Sequence, residues 1–117
     1  MPKLIALICK KDEISDEAFK AYYEEKHAPL IRSIFPMLDH YKRTYLTASS
    51  LLHGEFTLDA DSMEKTFSVI TELGFNTQID LDAFMEIAAN QEVIETIRED
   101  ESNFLISNKT IMYKLNN

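Results

Sequence analysis

His27, Tyr23, Glu72 and Arg43 are the side chains in this 117-residue chain best suited by type and spacing to move a proton or hold a charge. A histidine titrates near neutral pH, so an imidazole held in a half-buried cleft can act as acid or base. Tyr23 lies one helical turn before His27 on the same face, where it can orient the ring or share a proton. Glu72, or an aromatic from the second strand, would complete a polar pocket around the pair. A structural reading stands beside this one: a histidine at the edge of a core, satisfied by a backbone carbonyl freed near Pro29.

Tyr41, Arg43 and Tyr45 alternate along one strand and set a cation between two phenols. Such a set suits a carboxylate or phenolate ligand; it suits equally an ion pair with Asp39 or Glu72 at a subunit seam. His40 and His53 are the remaining histidines. Either can reach a ligand cleft, although His40 reads most simply as part of a strand start with Asp39, and His53 as a loop residue beside Gly54. No two histidines stand at the one-turn separation of helical zinc motifs, so no metal is expected. With two glycines in the chain there is no glycine-rich phosphate loop or dinucleotide fingerprint, and no serine or cysteine nucleophile motif is present. The expected chemistry therefore needs no cofactor.

The elements that must position these groups follow from periodicity. Residues 4–9 are apolar on both alternating faces, the pattern of a central strand covered on both sides. Ser15 is a good N-cap, and Asp16 and Glu17 fall in the first helical turn, where the helix dipole favours negative charge. The stripe of that helix is Phe19, Tyr22, Tyr23, Lys26, His27, Leu30 and Ile34. Pro29 lacks an N–H and disfavours helical geometry at Ala28, which predicts a break or kink just after His27. A second strand is expected over 38–46, with Asp39, Tyr41, Arg43 and Tyr45 on one face. A connection over 47–64 follows, of a length that suits a flap over a cleft. A third strand is expected over 67–75, then a helix capped by Asp80 with the stripe Leu81, Phe84, Met85 and Ala88. The stripe rotates at Asn90-Gln91, which predicts two short helices, and a fourth strand closes the chain over 110–115.

Composition narrows the partners. The chain is 45% hydrophobic and 27% charged, which is ordinary for one folded domain over 1–117. Twelve Lys and Arg against 20 Asp and Glu give a formal net charge of -8, which repels phosphate backbones and anionic membranes. Neither nucleic acid nor membrane is an expected partner. The only cysteine, Cys9, lies within an apolar run, as suits a buried thiol in a reducing, cytoplasmic setting.

Strand, helix, strand, strand, helix, strand is the split βαβ order, with an antiparallel sheet and both helices on one side. The other side then carries apolar residues of the first and last strands without cover. An exposed apolar face of that size calls for a partner, and a twofold copy of the same sheet is the common solution. The alternative is that the 47–64 connection folds across it.

The segment Phe19-Lys20-Ala21-Tyr22-Tyr23-Glu24-Glu25-Lys26-His27-Ala28-Pro29-Leu30 resembles the EthD family of dimeric α/β-barrel proteins, most specifically in the aromatic pair followed by His-Ala-Pro. Further support lies at Tyr41-Lys42-Arg43-Thr44-Tyr45, at Glu72-Leu73-Gly74-Phe75 and near Phe104, leaving out the 47–66 connection. The resemblance implies a ferredoxin-like subunit whose sheet faces a partner's. It also implies a cleft between helices and sheet that holds the helix-one histidine. Its associated activities are ether degradation beside an oxidising system, lactone isomerisation, and cyclisation, dehydration or decarboxylation of polyketide-like aromatics.

Three functions compete at this point. The first is a cofactor-independent acid–base enzyme for a small apolar or aromatic metabolite, with His27, Tyr23 and Glu72 at its centre. The second is a non-catalytic homodimer that binds such a ligand or assists an oxidising enzyme. The third is a haem-linked oxidoreductase with a helix histidine as axial ligand.

Overall fold

The strand that is apolar on both faces lies inside the sheet. In the computed structural model, which describes residues 1–47 and 67–116, the order is β1 (Lys3–Ile8), α1 (Asp16–Tyr22), a π-helical turn (Tyr23–His27), α2 (Ala28–Ile34) and β2 (His40–Tyr45). There follow β3 (Val69–Gly74), α3 (Gln78–Ala88), α4 (Gln91–Glu101), a 3-10 turn (Ser107–Lys109) and β4 (Ile111–Lys114). The sheet runs β2-β3-β1-β4, and each neighbouring pair is antiparallel. The expected strands are all present: the first is shifted one residue towards the start of the chain, and the other three are trimmed at both ends. Residues 48–66, with most of the expected 47–64 connection and His53, lie outside the described residues.

Alternation sorts the side chains of the sheet onto two faces. Leu4, Ala6 and Ile8 of β1 and Val69, Thr71 and Leu73 of β3 are buried on the side that meets the helices. Phe19, Tyr23, Ala28, Ile31 and Phe35 cover them from α1 through α2, and Leu81 and Phe84 do so from α3. Ile5, Leu7, Ile70 and Glu72 point the other way and are half-buried. On the same side of β4, Ile111 is 38% and Tyr113 55% exposed. Gly74 stands opposite His40, and a Cβ there would approach the His40 Cβ to 2.9 Å.

The caps explain where the helices start. Ser15 Oγ accepts from the Ala18 N–H at 3.1 Å, as expected. Thr77, not Asp80, caps α3: its Oγ1 accepts from the Asp80 N–H at 3.1 Å. The cap therefore falls three residues earlier, because Thr77 has the extended backbone an N-cap needs. Asn90 Oδ1 accepts from the N–H groups of Glu92 and Val93, which starts a second helix where the apolar stripe rotates. Among the described residues no helix is long and apolar enough to cross a membrane.

Candidate active site

The break expected after His27 does not occur. Helix α1 passes through a single wide turn, Tyr23–His27, straight into α2, and the Ala28 N–H bonds the carbonyl of Tyr23, five residues back. Pro29 falls in the first turn of α2, and the wide turn before it changes the hydrogen-bond pattern from four residues to five where Pro29 supplies no N–H. Ala28 keeps helical angles of φ -61 and ψ -43. Burial overrides the bias against this geometry: His27 is 4% and Ala28 4% exposed, so both adjacent residues face inward. π-turns of this kind recur at functional sites because they re-aim side chains.

The inward aim brings His27 onto α4. Its Nδ1 lies 2.8 Å from Asp100 Oδ2, and Tyr22 Oη donates to the other carboxylate oxygen, Oδ1, at 2.7 Å. Asn103 Nδ2 in turn donates to Tyr22 Oη at 2.9 Å. An ionised carboxylate only accepts hydrogen bonds, so His27 donates through Nδ1 and a neutral ring carries its lone pair on Nε2. This is the arrangement in which a carboxylate fixes the tautomer of a histidine base and stabilises the imidazolium it forms. The rings of Tyr23 and Phe104 hold the imidazole at 5.3 and 4.9 Å between centroids.

Glu101, the next residue along, is half-buried. Ser107 Oγ donates to its Oε1 at 2.9 Å. Burial pushes its carboxyl above the usual range, opposed by the Ser107 bond and by the charge of nearby His27.

Tyr23 touches His27 by ring contact while its hydroxyl points elsewhere, to Thr71 Oγ1 at 2.8 Å, and it accepts from Tyr41 Oη at 3.5 Å. Burial raises the Tyr23 and Tyr41 phenols well above their ordinary range, so both stay protonated at neutral pH. Arg43 completes this layer. Its Nε and one terminal nitrogen donate to the two oxygens of Glu24 at 2.8 and 2.6 Å, a bidentate pair. The Tyr45 hydroxyl also donates to Glu24. The guanidinium beside it, aided by Tyr45, holds the Glu24 carboxyl down at about 2. Arg43 also lies over the Tyr41 ring at 4.5 Å and donates to the Tyr41 carbonyl at 2.8 Å.

The structure thus gathers His27, Tyr23, Tyr41, Arg43 and Tyr45 on the helix side of the sheet. Glu72 does not join them. It follows Thr71 in β3 and so faces the opposite side, where its nearest charged partners are Lys3 at 3.7 Å and His40 at 3.9 Å. The Arg43 partner is likewise Glu24 of the π-turn rather than Glu72 or Asp39. His40 is on the open sheet side with Glu72, away from His27. Asp100, Glu24, Thr71 and Glu101 are site residues that the sequence reading missed. The acidic run Glu99-Asp100-Glu101 carries no mark to show which member meets a histidine. Glu24 could have been found one position past Tyr23, beside the face that turns inward. Among the described residues no group of three or more His, Cys, Asp or Glu side chains could hold a metal ion.

A four-stranded antiparallel sheet in this order, with its helices on one side, is the ferredoxin-like fold. The chain belongs to the EthD family, whose domain model matches residues 11–107. Its fold is similar to that of an EthD-family protein from Bacillus halodurans, with TM-score 0.61 and 21% identity over 100% of this chain and 98% of that one. It is also similar to a dimeric protein of unknown function and ferredoxin-like fold from Bacteroides fragilis, with TM-score 0.57 and 11% identity over 99% and 95% of the two chains. A hydroxynitrile lyase from Passiflora edulis is similar at TM-score 0.55 and 15% identity, over 98% of this chain and 93% of its own. No curated protein matches the sequence.

Proposed function

We propose that this EthD-family protein is a proton-transfer enzyme for a small apolar or aromatic molecule, with His27 as the base and Asp100 as the residue that positions it. The observation that carries this reading is the 2.8 Å contact between His27 Nδ1 and Asp100 Oδ2 at an imidazole only 4% exposed. A purely structural histidine at this place needs no carboxylate; a backbone carbonyl would satisfy it. The neighbouring rings of Tyr23 and Phe104 make the surroundings apolar, as suits an aromatic or aliphatic substrate. Tyr23, with its hydroxyl held by Thr71 and Tyr41, supports the imidazole as a wall.

The working unit in this reading is a homodimer formed through the open sheet face. Half-buried Ile5, Leu7 and Ile70 and exposed Ile111 and Tyr113 supply an apolar surface there, and the Bacteroides fragilis protein of the same fold is dimeric. Light scattering after size exclusion is expected to give twice the chain mass; a monomer at micromolar concentration rejects this assembly.

The chemistry is tested by hydrogen exchange at weakly acidic carbon. A panel of small aryl ketones in deuterated buffer at neutral pD, followed by proton NMR, is expected to lose α-hydrogens faster with the protein than without it. His27→Ala is expected to abolish the gain. Asp100→Asn is expected to reduce it by about 10²-fold or more, the order of a positioned general base. Exchange that is equal in wild type and His27→Ala removes His27 from the chemistry.

A further inference from the structure

A cavity of about 550 Å³ lies between α2 and the corner of α3 and α4, within the ordinary size range of small-molecule sites. Leu30, Ile34, Ile87 and Val93 line it with apolar surface, and the last three of these also pack on the core.

Its position relative to His27 follows from helical spacing. Leu30 lies three residues past His27 and Thr96 four residues before Asp100, each about one turn along its own helix and on the same side. His27 and Asp100 join the two helices, so the Leu30 and Thr96 end of the cavity lies about one helical turn from that pair, which does not itself line it. Glu86, Asn90 and Glu92 line the far end. The polar groups of the wall are already committed: Asn90 Oδ1 caps α4 and the Thr96 hydroxyl donates to the Glu92 carbonyl at 2.9 Å. The charged side chains lining the cavity, Glu86 and Glu92, are both acidic. Neither is in an ion pair among the described residues.

We propose that this cavity is the binding groove for the apolar tail of the substrate, and that Glu86 and Glu92 select tails ending uncharged or cationic over those ending in a carboxylate. The inference rests on the proton-transfer reading of His27 for its functional meaning, but the binding it describes does not need His27. The observations that join are the apolar lining, the single sign of charge at one end and the place of the other end about one helical turn from the histidine–aspartate pair.

The test uses the full chain with methyl labels and three probes of equal tail length: hexylamine, 1-hexanol and hexanoate. Hexylamine and 1-hexanol are expected to shift the methyl signals of Leu30, Ile34, Ile87 and Val93. Hexanoate is expected to bind roughly fivefold more weakly than the alcohol, the order of like charges in partly screened surroundings. The double variant Glu86→Gln, Glu92→Gln is expected to bring hexanoate level with the alcohol. Val93→Trp, which fills the groove at its half-buried edge, is expected to remove the shifts with the thermal midpoint retained. Hexanoate binding as tightly as hexylamine, or shifts confined to other methyls, overturns the proposal. A failed exchange assay with intact groove binding strikes the base alone, and intact exchange without groove binding strikes the groove alone.

Discussion

The layer between helices and sheet has two unlike halves. In one, Phe35 and Phe75 sit on either side of Phe84 with ring centroids 4.4 and 5.1 Å away, among the buried Leu38, Leu73 and Leu81. In the other, the same succession of helices buries Tyr23, His27, Thr71 and Tyr41, with Arg43 and Glu24 paired beside them. The first half needs only shape and apolar surface. The second pays for every buried polar atom with a partner. A domain that required stability alone could fill both halves with leucine. Keeping a satisfied polar network under one half is a cost that packing alone does not require, and the role proposed for His27 would account for it.

The comparison predicts the largest effect in the apolar half. Phe84→Ala is expected to cost about 3–5 kcal/mol in denaturant unfolding and to leave the Nδ1–H tautomer of His27, read by nitrogen NMR, unchanged. A cost below about 1 kcal/mol would break the assignment of stability to that half.

In the polar half, Glu24→Gln is expected to cost about 1–2 kcal/mol at neutral pH, the range for a charged hydrogen bond discounted for a partly exposed carboxylate. The side chain of Glu24 is 37% exposed. Its carboxyl is lowered from 4.5 to about 2, so the folded state binds its proton less readily than the unfolded chain. The stabilisation is therefore complete above pH 4.5 and lost as pH falls towards 2. The difference between wild type and variant is expected to shrink through that window; a difference independent of pH would show that the ion pair does not contribute it.

The smallest effect is expected at Glu101, where the sign reverses. Burial raises this carboxyl, so the folded state holds the proton more tightly than the unfolded chain and stability falls as pH rises through the carboxylate range. Glu101→Gln retains an acceptor for Ser107 and is expected to raise the thermal midpoint slightly at neutral pH, with the gain fading in acid. A lowered midpoint would show that ionised Glu101 stabilises the fold.

Much of this was readable along the chain because it is local. The Ser15 cap, the alternation of β1 and the rotated stripe at Asn90 each involve residues within about a turn of one another. His27 was legible by its stripe and by its resemblance to His-Ala-Pro. Glu72 was misplaced because nearness to a strand says nothing of its face: one step along β3, from Thr71 to Glu72, crosses the sheet. Pro29 gave a correct local signal that lost to burial, since a wide turn keeps both His27 and Ala28 inside.

The sequence by itself determined the order of elements, the starts of the first and last helices, the EthD resemblance and the residue types available for acid–base work. Which acid meets which base was decided only in three dimensions. Asp100 reaches His27 across 73 positions, and Glu24 rather than Asp39 or Glu72 takes Arg43. Hydrogen-bonded helices and strands follow short-range periodicity, whereas the partner of a buried charge is chosen by which faces are pressed together when the apolar surface leaves water.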